Sequence, residues 1–266
     1  MGKIIAIANQ KGGVGKTTTS VNLAASLAAT RRRVLLLDMD PQGNATMGSG
    51  IDKSVLQYSS YDVLMGQAEI QSAIIRAEEA GYDLLPANSD LTAAEVELLS
   101  ISHRERQLKA AIQLIEDRYD YIIIDCPPSL NMLTLNALVA AQSVLIPMQC
   151  EYYALEGLTA LVNTIEQIRS NLNPYLKIEG LLRTMYDPRN RLSYDVTQQL
   201  QQYFGDRLYR TVIPRNIRLA EAPSHGVPVL IYDKTSRGAQ AYLALAGEIV
   251  RREQSVSQSQ PQASSI

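Results

Sequence analysis

Short apolar runs alternate along the chain with longer segments whose apolar residues recur at helical spacing. The short runs are apolar on both faces and rich in Ile, Val and Leu, which is typical of strands buried within a parallel sheet. The predicted strands are Ile4–Ala8, Val34–Asp38, Tyr82–Leu85, Tyr121–Asp125, Ser143–Met148, Ile178–Met185, Leu208–Ile213 and Val229–Ile231.

Helical patterns occupy the intervals between these strands. The first, Thr17–Ala29, places Val21, Ala24 and Leu27 on one face. The other predicted helices are Arg104–Arg118, Leu155–Asn171, Ser193–Phe204 and Arg237–Arg252. Strands separated by helices predict an α/β fold with a doubly wound, mostly parallel sheet.

Composition indicates a globular protein of the reducing cytoplasm. Of the 266 residues, 46% are apolar and 20% are charged, and two cysteines are too few for a disulfide framework. No apolar run reaches the roughly 18 residues that would cross a membrane. We expect one domain over residues 1–252 and a disordered tail over 253–266, where nine of 14 residues are Ser or Gln.

The segment NQKGGVGKTTTS, residues 9–20, follows the first predicted strand and leads into the first helix. It departs from the phosphate-loop pattern G-x-x-x-x-G-K-[ST] by having Gln10 in place of the first glycine and an additional Lys11. We expect Lys16 to neutralise phosphate oxygens and the Thr17 hydroxyl to complete a Mg²⁺ shell. The alternative is a glycine-rich turn without a ligand. The predicted nucleotide-binding residues of the loop are Gly12, Gly13, Val14, Gly15, Lys16, Thr17 and Thr18, whereas Lys11 taken alone could be a solvated surface charge.

Aspartates end two of the predicted strands. Asp38 ends the strand in LLLDMDPQGN, and Asp40 follows it in a turn, where it could orient or deprotonate a water. The alternative for both is a pair of turn carboxylates that cap the next helix. Asp125 ends the apolar run YIIID, as the carboxylate that holds Mg²⁺ through water does in a Walker B strand.

Five segments together resemble the ParA/Soj-type partitioning ATPases of the deviant Walker A (ParA/MinD) group. These segments are KGGVGKTTTSVNLA, DMDPQGNAT, IIIDCPPSL, QCEYYALEG and IPRNIRLAEAPSHG. The resemblance implies ATP and Mg²⁺ as cofactors, and a homodimer when ATP is bound. It implies that Lys11 reaches the partner's nucleotide, that Asp40 is the hydrolytic aspartate, and that Pro214 and Asn216 contact adenine. It also implies a ParB-type centromere-binding partner and a location on the nucleoid.

A basic segment extends from Arg183 to Arg218. It contains seven arginines and three aspartates, which gives a local charge of +4 in a chain of net charge −2. The resemblance implies that Arg189 and Arg218 bind DNA, and without a base-reading motif this binding would be non-specific. The alternative is that the arginines pair with local acids on a solvated face.

Three rival functions share the loop. A Min-type membrane-associated positioning ATPase would end in a basic amphipathic helix, but SVSQSQPQASSI has no cationic apolar face, so we expect no membrane partner. An iron–sulfur ATPase would need a differently placed cysteine, and Cys126 and Cys150 are predicted to be buried small apolar residues. A small-molecule kinase would leave DPQGN and the arginines unexplained.

Overall fold

Eight strands form one sheet in the computed structural model, which describes residues 2–152 and 154–258. The order across the sheet is β3-β4-β2-β5-β1-β6-β7-β8, and every neighbouring pair is parallel except β3 with β4. The strands are β1 (Lys3–Ile7), β2 (Val34–Asp38), β3 (Ile75–Ala77), β4 (Tyr82–Leu85), β5 (Tyr121–Asp125), β6 (Ser143–Gln149), β7 (Lys177–Tyr186) and β8 (Leu208–Pro214).

Helices cover both faces of this sheet. The α-helices are α1 (Lys16–Ala29), α2 (Asn44–Gly48), α3 (Ser60–Leu64), α4 (Ile70–Ala73), α5 (Leu91–Glu97), α6 (Gln107–Gln113), α7 (Met132–Ala140), α8 (Ala154–Asn171), α9 (Arg191–Phe204), α10 (Ile217–Glu221), α11 (Val229–Tyr232) and α12 (Arg237–Gln258). Short 3-10 turns occupy Leu98–Ser100, Arg104–Arg106, Glu116–Arg118, Gly205–Arg207 and Ala222–His225. No helix among the described residues combines the length and apolarity needed to cross a bilayer.

The two faces of the sheet build two separate apolar clusters. Along β1, Ile4 and Ala6 pack with residues of α6, α7 and α8, whereas Ile5 and Ile7 pack with residues of α1 and α12. Because successive strand residues point to opposite faces, a strand buried on both sides must be apolar throughout. The predicted doubly wound, mostly parallel α/β fold is therefore confirmed.

Two predicted elements are wrong. Val229–Ile231 was expected to be a strand because it is β-branched and apolar, but the segment is the short helix α11. Pro228 precedes it, and the Asn22 side chain accepts a hydrogen bond of 2.7 Å from the Val229 backbone N–H, which a helix start leaves without an intrahelical partner. The segment Arg104–Arg118 is not one helix, because Ile115 leaves the helical region with φ −135° and is buried.

The last helix continues beyond the predicted boundary at residue 252. Helix α12 extends to Gln258, so the prediction of a disordered tail is wrong for residues 253–258. The Tyr121 hydroxyl donates a hydrogen bond of 2.5 Å to Glu253 Oε2, which ties this turn of the helix to β5. The remainder of the predicted tail, residues 259–266, lies outside the described residues.

Candidate nucleotide site

The loop between β1 and α1 has the backbone conformation of an anion cradle. Gly13 and Gly15 adopt left-handed conformations with φ 73° and 86°, which glycine tolerates and other residues rarely adopt. Gly15 is the N-cap residue of α1, so the positive end of this helix faces the loop. A Cβ atom built on Gly12 or Gly13 would meet no atom within 4 Å, which leaves open space above the loop.

Lys16 is the first residue of α1, and its side chain turns back into the preceding loop. Its side chain is largely buried, and Nζ donates a hydrogen bond of 3.3 Å to the Lys11 carbonyl oxygen. Burial lowers the pKa of Lys16, and the negative charges of Asp125 and Asp40 oppose this shift. The ammonium group is therefore near both carboxylates and close to the phosphate cradle.

Two buried aspartates lie side by side at the carboxyl edge of the sheet, where ligands bind in folds of this kind. Asp38 of β2 and Asp125 of β5 are partners in the parallel register. Asp38 accepts hydrogen bonds of 2.8 Å from both the N–H and the hydroxyl of Thr46. Asp125 accepts one of 2.7 Å from the Ser20 hydroxyl. Burial raises the pKa of both carboxyls, and each is raised further by the charge of a neighbouring aspartate.

The residues around Asp125 are suited to a magnesium ion. Its Oδ2 atom is buried without a hydrogen-bond partner, and the nearby Thr17 hydroxyl lowers the pKa of the same carboxyl. No cluster of three acidic, histidine or cysteine side chains among the described residues could hold a metal by itself. Mg²⁺ commonly takes only one or two protein carboxylates and completes its shell with water and substrate phosphates.

Asp40 and Lys11 lie at the rim of this site. Asp40 is 8% exposed, and its Oδ1 accepts a hydrogen bond of 2.9 Å from the Gln42 N–H, which fixes the carboxylate in its turn. Lys11 forms an ion pair with Glu151, with 2.5 Å between Nζ and Oε2. About half of each side chain is exposed, so this pair is accessible to water. The sequence did not predict that Glu151 pairs with Lys11, because the two residues are 140 positions apart.

The predicted adenine residues line a cavity that continues from the loop. Pro214 and Asn216 share a space of about 190 Å³ with Gly15 and Thr18. The Asn216 Oδ1 atom accepts a hydrogen bond of 3.1 Å from the Arg218 N–H and so caps α10, which leaves the amide NH₂ as its remaining recognition group. Thr184 and Met185, which have no recognisable signal in the sequence, also line this cavity.

Both predicted DNA-binding arginines lie on the surface and pair with local acids. Arg189 makes two hydrogen bonds to Asp187, of 2.8 and 3.0 Å, and its side chain is 88% exposed. Arg218 pairs with Glu221 at 2.8 Å and lies 3.4 Å from Asp233. These ion pairs match the alternative that the arginines of this segment pair with local acids on a solvated face. Both guanidinium groups are nevertheless accessible to a ligand.

The prediction for Arg183 is wrong, whereas the prediction for the two cysteines is confirmed. Arg183 was counted with the basic segment, but its guanidinium points inward and donates a hydrogen bond of 2.8 Å to the Tyr209 carbonyl oxygen. It therefore adds nothing to a basic surface. Cys126 and Cys150 are buried free thiols, as predicted, and burial raises the pKa of both.

A parallel sheet with a phosphate loop before α1 and acidic strand ends beside it defines a P-loop nucleotide-hydrolase fold. Comparisons with known proteins give the family. A family model described as an AAA domain matches residues 2–178. The chain is 55% identical over 249 residues to the sporulation initiation inhibitor protein Soj of Bacillus subtilis, covering 94% of this chain and 98% of that protein.

Two other similar proteins agree with this assignment, one by sequence and one by structure. The chain is 52% identical over 253 residues to the chromosome partitioning protein ParA of Caulobacter vibrioides, covering 94% of this chain and 95% of that protein. The structure of a Mycobacterium smegmatis protein, described as cobyrinic acid a,c-diamide synthase with bound ATP analogue and magnesium, matches with a TM-score of 0.85. Identity is 39%, with 96% of this chain and 97% of that chain covered. This chain belongs to the ParA/Soj family of P-loop ATPases.

Proposed function

We propose that this protein is an ATP-driven partitioning ATPase, which dimerises on binding ATP, binds DNA non-specifically and acts with a ParB-type centromere-binding partner. The observation that carries the proposal is the convergence of Lys16, Asp40 and Asp125 at one edge of the sheet, with Lys11 at the rim. The relatives named Soj and ParA are 55% and 52% identical to this chain, against 39% for the synthase. Their function is therefore the better guide.

Each loop residue has a part in holding the substrate. The N–H groups of residues 12–18 and the start of α1 bind the phosphates of ATP, and Lys16 neutralises their charge. Thr17 and Asp125 would hold Mg²⁺, which when bound would offset negative charge on the phosphates. Asp40 positions the attacking water and accepts its proton. Pro214 offers an apolar face to adenine, and the Asn216 amide donates to its edge.

Lys11 makes hydrolysis depend on a second copy of the chain. Within one chain its ammonium group is neutralised by Glu151. In the ATP-bound homodimer Lys11 leaves this pair and stabilises charge on the partner's phosphates, as an arginine finger does. The exchange costs little, because an exposed ion pair contributes about 0–1 kcal/mol.

Arg189 and Arg218 provide the contact with DNA phosphates. Both already pair with acids, but exposed arginine–carboxylate pairs exchange readily for phosphate. Two copies of the surface in a dimer bind far more tightly than one, which makes DNA binding conditional on ATP. The protein would then act in the cytoplasm, on the nucleoid.

The steady-state ATPase rate tests this function. We expect a low basal rate that rises when non-specific duplex DNA and the ParB-type protein are added together. Replacement of Arg189 and Arg218 by Glu should abolish the response to DNA while leaving ATP-driven dimerisation intact, and Arg169→Glu, on α8, is the matched control for charge reversal. A rate that is insensitive to both partners would contradict the partitioning role.

A further inference from the structure

A second cationic cavity lies at the opposite edge of the sheet from the nucleotide site. It has a volume of about 390 Å³ and lies at the amino-terminal ends of β2, β4 and β5. Asp38 and Asp125 mark the other ends of β2 and β5, so the two sites are separated by the length of a strand, roughly 15 Å. Five arginines line the cavity: Arg31, Arg32, Arg33, Arg76 and Arg118.

Acidic residues neutralise only part of this charge. Arg33 pairs with Asp120 at 3.0 Å, and Arg76 pairs with Asp83 at 3.0 Å. The other three arginines that line the cavity have no carboxylate within 4.0 Å among the described residues. Like charges that share one concavity repel each other, and a concave wall focuses their field on whatever enters. Three of the five guanidinium groups are therefore outside any direct ion pair among the described residues.

Complementing the negative end of α1 does not explain why all five arginines lie here. Arg31 and Arg32 follow the end of α1 and could complement its negative end, as basic residues there commonly do. Arg76, however, belongs to β3, and Arg118 belongs to the 3-10 turn before β5. Three segments that are distant in sequence thus direct arginines at one space, which helix capping does not require.

We propose that this cavity binds a compact multivalent anion that carries two or three linked phosphate groups. Guanidinium groups match phosphate oxygens in geometry and pair with them through two parallel hydrogen bonds. Among the described residues that line the cavity, the one aromatic is Tyr119. It is buried and directs its hydroxyl to Asp83 Oδ2 at 2.9 Å, so it offers no face on which a base could stack. Recognition is therefore of the phosphate chain, and a volume of about 390 Å³ suits a small ligand better than a DNA duplex.

Titration calorimetry of the full chain tests the proposal, with Lys16→Ala as the background that removes the phosphate loop's own affinity. Inorganic triphosphate should bind the Lys16→Ala protein with one site per chain. The further changes Arg32→Gln and Arg118→Gln should weaken binding roughly tenfold or more for each guanidinium lost, since hydrogen bonds to charged groups are the strong ones. Arg169→Gln, which removes an exposed arginine on α8, should leave the affinity unchanged.

A titration with ATP tests which ligands are recognised, and one more variant guards against loss of folding. ATP that binds the Lys16→Ala protein as tightly as inorganic triphosphate does would support recognition of the phosphate chain from either source. Arg31→Gln provides a third variant if the double replacement unfolds, which circular dichroism would reveal. The proposal is overturned if Lys16→Ala binds no triphosphate or if the arginine variants bind it as tightly. It is also overturned if these arginines prove necessary for binding a short DNA duplex but not triphosphate.

Discussion

Asp125→Asn should stabilise the protein in the absence of nucleotide and, at the same time, remove the stabilisation that ATP and Mg²⁺ provide. Asp125 and Asp38 are fully buried register partners on adjacent strands. Adjacent strands lie about 4.8 Å apart, and two unit charges about 5 Å apart repel by roughly 3 kcal/mol at an effective dielectric constant of about 20. Burial raises the pKa of Asp125 to about 8, so both carboxyls are charged only above that pH. Lys16 offsets part of the repulsion, and we expect a net gain of about 1–3 kcal/mol in the free energy of unfolding when it is measured above that pH.

Urea unfolding followed by circular dichroism, with and without ATP and Mg²⁺, measures both effects. Asparagine keeps the acceptor for the Ser20 hydroxyl but loses the charge that is proposed to hold the metal. The wild type should gain about 2.7 kcal/mol when ATP is present at about 100 times its dissociation constant, and the variant should gain almost nothing. Asp120→Asn is the control, because it removes an exposed carboxylate paired with Arg33 and should cost at most about 1 kcal/mol while the response to ATP persists. An Asp125→Asn protein that is less stable without ligand, or that ATP stabilises as strongly as the wild type, would refute the reasoning.

The remaining predictions concern single side chains. Lys16→Ala should weaken ATP binding at least about tenfold, because charge-assisted hydrogen bonds contribute roughly 1.5–3 kcal/mol, and calorimetry showing wild-type affinity would contradict this. Asp40→Ala should bind ATP and accumulate as a dimer, whereas Lys11→Ala should bind ATP and remain a monomer; light scattering that finds the reverse would exclude the proposed roles. Arg189→Gln should raise the pKa of Asp187 from about 2 towards its ordinary value, since the hydrogen bonds from Arg189 hold it low. The contribution of this pair is present above about pH 4 and is lost as the pH falls towards 2; an unchanged carboxyl titration by NMR would rule the pair out in solution.

Local patterns predicted the parts of the site that are contiguous in sequence. The loop could be placed because strand, glycines and amphipathic helix follow one another directly, with Gly15 and Lys16 at the junction. Asp125 could be placed because parallel strands bring their carboxyl ends to one edge. The prediction that Pro214 and Asn216 contact adenine depended on family resemblance, since neither residue has a pattern of its own.

Long-range contacts decided what the sequence pattern could not. Val229–Ile231 has the composition of a strand, but the side chain of Asn22, 207 residues away, satisfies the first N–H of a helix there. The pair of Lys11 with Glu151 spans 140 residues, and nothing in either segment indicates it. Arg183 contributed to a basic charge count, but its place in β7 directs the guanidinium to the Tyr209 carbonyl. By contrast, Asp187 lies two residues from Arg189, so that pairing was readable from the sequence.

The affinity of the wild-type protein for a non-specific DNA duplex, measured by fluorescence anisotropy with ATP, with ADP and without nucleotide, tests the central proposal most directly. Binding should be far tighter with ATP than in the other two states, because in the proposed mechanism only the ATP-bound dimer presents two copies of the arginine surface. It should also weaken steeply with added salt, because counterions are released from the DNA phosphates. Equal affinity in all three nucleotide states would contradict the account of an ATP-controlled partitioning protein.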